Sequence, residues 1–153
     1  MTTHNLRTAV DRESLALSTD DEMAIQFVEV AGTKALIVDN VYKDPDYVRG
    51  LALSLDFHRR AGAYPGYFAF ASISTSPLLD LANTLLHDEI GDYLTFTNTY
   101  QEDLTFAVVT SRGSELTPGQ RRPHVDDICD YAGLVYLNPP GQCFGASWPG
   151  SAT

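Results

Sequence analysis

His124-Val125-Asp126, followed after a short interval by Tyr131-Ala132-Gly133-Leu134-Val135-Tyr136-Leu137-Asn138, is the stretch on which the fold turns. On an extended backbone alternate side chains point the same way, so His124 and Asp126 project together. An imidazole nitrogen beside a carboxylate oxygen suits one metal ion. Such a pair is two members of the 2-His-1-carboxylate triad, whose open positions let Fe(II) bind a co-substrate and dioxygen together. The bland alternative is a loop-end histidine hydrogen-bonded to a nearby carboxylate, since His-x-Asp also arises by chance. Asp127 replaces Asp126 in the pair only if the register slips. The run from Tyr131 to Asn138 reads as a nearly continuous apolar strand, stopped by Pro139-Pro140-Gly141.

Working back from that stretch, Arg112 to Pro123 carries Gly113, Pro118, Gly119 and the pair Arg121-Arg122, the composition of a surface loop. The two arginines are either solvated loop charges or contacts for an acidic substrate. Leu104 to Thr110 is rich in β-branched residues, and Tyr93 to Tyr100 alternates aromatic or aliphatic residues with Thr and Asn; both read as strands. Ser76-Pro77 opens a helix carried by Leu78, Leu79, Leu81, Ala82, Leu85, Leu86 and Ile90 and ending near Gly91. Phe68 to Ser74 is a short strand. The aromatic cluster of Tyr64, Tyr67, Phe68 and Phe70 beside Pro65-Gly66 either packs under its loop or lines a substrate mouth.

Further back, Asp44-Pro45 places a cap and a first-turn proline ahead of Val48, Leu51, Ala52 and Leu55 at helical spacing, with His58-Arg59-Arg60 closing the helix at its negative end. Met23 to Val30 and Lys34 to Asp39 form a β-hairpin about Gly32-Thr33. Two helices ahead of a strand-rich second half predict an α+β domain, mostly β, with an antiparallel sheet. Residues 1–22 form a polar, acidic leader expected to be loose, and residues 23–153 a single domain.

Composition narrows the function. The chain has 153 residues, 44% of them hydrophobic, and 10 Lys plus Arg stand against 20 Asp plus Glu, a formal net charge of −10. A basic face able to displace counterions is not expected, which argues against nucleic acid or an anionic membrane as partner. Cys129 and Cys143 are too few for a disulfide scaffold and lack the paired spacing of a zinc site, so a cytoplasmic setting is expected. No apolar run reaches the roughly 18 to 20 residues of a spanning helix. Gly-x-Gly-x-x-Gly, a Walker lysine loop and the Gly-x-Ser-x-Gly elbow are all missing from the sequence, so no nucleotide cradle or serine-hydrolase elbow is signalled.

The order of His124-x-Asp126, a strand closing in Tyr136-Leu137-Asn138 and the turn Gln142-Cys143-Phe144-Gly145 resembles the prolyl-4-hydroxylase-like branch of the Fe(II)/2-oxoglutarate-dependent oxygenases. With Val38-Asp39-Asn40-Val41-Tyr42-Lys43-Asp44-Pro45 and Tyr64-Pro65-Gly66-Tyr67, it is more narrowly similar to a bacterial group within that branch, from about Val38 onward. The resemblance implies a double-stranded β-helix, or jelly roll, with His124 and Asp126 as Fe(II) ligands and Tyr136 reaching the carboxylate of 2-oxoglutarate. It also implies a hydroxylase-type dioxygenase reaction on a small-molecule or peptide substrate. Members of the superfamily continue to a distal histidine and a basic residue that pairs with 2-oxoglutarate. Here His4, His58 and His87 are the other histidines, and none stands at the third ligand's place. Trp148 to Thr153 reads like a truncated end, so the C-terminal strands of the jelly roll are expected to be incomplete, with an open sheet edge through which two copies pair. The alternative is a non-catalytic jelly-roll module that binds a small molecule or a protein.

Overall fold

A computed structural model of the chain describes residues 15–30, 32–59, 64–96, 103–121 and 130–139. It divides into two compact units, Met1–Gly50 and Leu51–Thr153. Its described secondary structure is α+β: two helices, and mostly strands in two antiparallel sheets. Neither sheet closes into a barrel among the described residues.

The first unit is built on the hairpin of β1 (Ala24–Val30) and β2 (Thr33–Asp39), in register from Ala24 opposite Asp39 to Val30 opposite Thr33. Gly32 turns the chain at φ 81°, a conformation that costs a residue without Cβ little. Period-2 alternation puts Ile25, Phe27, Leu36 and Val38 on one side of the ribbon and Gln26, Val28, Ala35 and Ile37 on the other. Asn40, at φ 60°, leaves β2 by a left-handed step of the kind asparagine tolerates, and its Nδ2 donates to the Glu22 carbonyl at 3.2 Å. Within the expected leader, the described residues are tied to this unit. Leu17 bridges Tyr42, the Ser18 N–H donates to the Val41 carbonyl at 2.9 Å, and the Lys43 N–H donates to that of Ala16 at 3.1 Å.

Helix α1 (Pro45–Leu53) starts where Asp44-Pro45 predicts, with Asp44 Oδ1 accepting from the Tyr47 N–H at 2.8 Å and so satisfying one of the first-turn donors. Val48, on its apolar stripe, has no exposed surface. The helix ends at Leu53, where the Ser54 hydroxyl and N–H both turn back to the Leu51 carbonyl. The expectation that His58 and Arg59 close this helix is therefore corrected. They form the short strand β3 (His58–Arg59), because pairing with Phe68 and Tyr67 outweighs the small benefit of a cation at a helix end.

The sheet of the second unit runs β3-β4-β5, with β4 (Tyr67–Ser74) antiparallel to β5 (Asp103–Val108). Ala69 faces Phe106 across the ladder and Ala71 faces Leu104; Ala69, Ala71 and Phe106 are buried, a small residue opposite a large one. The opposite face carries Phe68, Phe70, Thr105 and Ala107, with Phe70 exposed. Between β4 and β5 lies helix α2 (Ser76–Ile90), which has a proline in its first turn and ends on Gly91 at φ 72° with its N–H bonded to the His87 carbonyl at 2.8 Å.

Two expected strands are not formed where they are described. Tyr93 to Phe96 would need free backbone groups, but Asn83 of α2 takes the Leu94 peptide for itself: its Oδ1 accepts from the Leu94 N–H at 2.6 Å and its Nδ2 donates to the carbonyl at 3.2 Å. Residues 97–100 of that expected strand lie outside the described residues. Tyr131 to Asn138 is described and joins neither sheet, with Leu134 77% and Tyr136 82% exposed. Apolar, β-branched composition records a preference for extended backbone, whereas a strand also needs a neighbouring ladder.

Candidate functional site

His124 and Asp126, the expected metal ligands, lie outside the described residues, as do Asp127, Arg122, Cys129 and Cys143. What the structure describes is the ground on either side of them. Before them, the loop from Arg112 is a chain of short-range hydrogen bonds around a single 3₁₀ turn, Gly113–Glu115. Glu115 Oε2 accepts from the Arg112 N–H at 2.7 Å, and Gln120 Oε1 from the Thr117 N–H at 2.9 Å. The Arg121 guanidinium donates to the Ser114 carbonyl at 3.1 Å, closing the loop on itself. After them, Tyr136, the expected 2-oxoglutarate contact, is exposed on a segment without regular secondary structure.

The aromatic group that sequence places at a loop mouth is partly drawn together. The Tyr64 and Phe68 rings lie 4.3 Å apart at 37°, and burial pushes the Tyr64 phenol above its ordinary value. Gly66 sits against β5, where a Cβ would meet the Val108 carbonyl oxygen at 2.2 Å and the Tyr64 ring at 2.7 Å. The loop thus approaches the end of β5 at a distance that only glycine permits. Tyr67, 38% exposed, lies on the face of β4 opposite to Phe68, whereas Phe70, 58% exposed, shares the face of Phe68, so alternation along the strand sets Tyr67 apart from the other aromatics of the group.

A second cluster went unnoticed in the sequence. Asp80, Asn83, Thr84 and His87 form one stripe of α2 at helical spacing and line an open depression with Tyr93. The His87 and Tyr93 rings stack with centroids 4.6 Å apart, and His87 Nδ1 is buried with no hydrogen-bond partner among the described residues. The spacing 80, 83, 84, 87 was the available signal, hidden because the apolar stripe of the same helix dominates its reading. Among the described residues no group of three or more His, Cys, Asp or Glu side chains is placed to hold a metal ion.

Residues 21–148 match the family described as Family of unknown function (DUF6445). The chain belongs to that family. The match takes in both units of the DUF6445 chain, and His124, Asp126, Tyr136 and the α2 stripe all fall inside it. No curated protein and no solved structure matches the chain.

Proposed function

We propose that this DUF6445 chain carries a non-haem Fe(II)/2-oxoglutarate-dependent dioxygenase domain of the hydroxylase type, built on a jelly roll. The observation that carries the reading is the spacing of His124-Val125-Asp126 ahead of Tyr136-Leu137-Asn138. An imidazole and a carboxylate are the donor types that Fe(II) takes in a facial triad, so the donor set fits the metal in kind. His124 and Asp126 would hold the ion and the Tyr136 phenol would donate to a carboxylate of 2-oxoglutarate. The bound metal and co-substrate supply oxidising power toward a C–H bond of the substrate. The two antiparallel sheets and the helices ahead of residue 124 support a jelly-roll scaffold without requiring it. A small-molecule or peptide substrate, a cytoplasmic setting and pairing of two copies through an open sheet edge belong to the same proposal. Of these, the setting rests on the two cysteines and on there being no described helix long and apolar enough to cross a membrane.

The experiment is calorimetric titration of Mn(II), a redox-silent stand-in for Fe(II), into the purified chain with and without 2-oxoglutarate. Micromolar binding, about −8 kcal/mol, that tightens with 2-oxoglutarate and disappears in His124→Ala is expected. A folded sample that binds no metal, or a variant that binds as the parent does, overturns the proposal.

The exposure of Tyr136 favours a second reading, a jelly-roll module that binds a small molecule or protein without catalysis, since a phenol open to water is not enclosed in a dry pocket. Decarboxylation of 2-oxoglutarate with iron and ascorbate, diminished by Asp126→Ala, would rule this second reading out.

A further inference from the structure

No further inference is drawn: the strongest candidate, the open depression that Asp80, Asn83, Thr84 and His87 of α2 form with Tyr93, is accounted for by the contacts that hold the turn after the helix, and its one unpartnered polar atom, His87 Nδ1, is buried away from any ligand that would enter.

Discussion

Gly66 and Gly50 are the same residue type under opposite constraints. At Gly66 a methyl group would collide with the Val108 carbonyl, a backbone atom that cannot swing aside, whereas at Gly50 on α1 no described residue lies within 4 Å of the added carbon. Gly66→Ala is therefore expected to destabilise the protein by about 1–3 kcal/mol, the range for forced overpacking. Gly50→Ala is expected to stabilise it by about 0.5–1 kcal/mol through helix propensity. Urea unfolding of the two variants checks both signs, and a neutral Gly66→Ala would show that the loop does not sit against β5. His87 makes a different point. Replacing it by Phe keeps a ring over Tyr93 and removes a buried nitrogen that has no partner among the described residues, so a gain of about 1 kcal/mol is expected. A loss of similar size in thermal melting would mean that His87 has a polar partner after all.

Among the elements, the turn ahead of β1 is held by carboxylates. Glu22 Oε2 accepts from the Thr19 N–H at 2.9 Å and from its hydroxyl at 2.8 Å, while Asp21 accepts from the same hydroxyl at 2.6 Å. These bonds favour the charged forms: the Thr19 hydroxyl lowers Asp21, and the Thr19 N–H followed by its hydroxyl lowers Glu22. Because both groups titrate lower in the folded chain than in the unfolded one, their contribution is complete above the ordinary carboxylate range, about pH 4 to 4.5. It fades as pH falls through the lower folded values. The Thr19 amide resonance is expected to move with a midpoint below the ordinary glutamate value. Movement centred at the ordinary glutamate value would show that the turn does not bind these carboxylates.

Much at this scale was legible in advance. Asp44-Pro45 and Ser76-Pro77 mark helix starts, Gly91 a helix end and Gly32 a hairpin, because caps and turns depend on a few neighbouring residues. The described part of the strand expected from Tyr93, up to Phe96, is not formed, and there Asn83, 11 positions away from Leu94, captures a peptide the ladder would need. No local pattern announces that bond.

At the scale of the molecule, a formal net charge of −10 makes self-repulsion a general cost of folding. Raising ionic strength from about 10 mM to about 150 mM shortens the screening distance from roughly 30 Å to roughly 8 Å, so the melting temperature is expected to rise. A fall would show that attractive pairs dominate. Arg49 with Asp46 is one such pair, at 2.6 Å, but an exposed pair three residues apart contributes only about 0.2–0.5 kcal/mol.

Sequence by itself determined the class, α+β with antiparallel strands, the two helices with their starts, and the membership of the hairpin, because hydrophobic period and capping chemistry act within about ten residues. It also singled out His124, Asp126 and Tyr136 as residues able to carry chemistry, since side-chain type alone defines a donor set. Only the tertiary structure decided that His58 and Arg59 pair with β4 rather than end a helix, that the Leu94 peptide belongs to Asn83, and that Tyr136 stands in solvent outside both sheets. Each of these depends on which distant backbone or side-chain group reaches a residue first. That competition is settled by chain packing, and a one-dimensional pattern does not contain it.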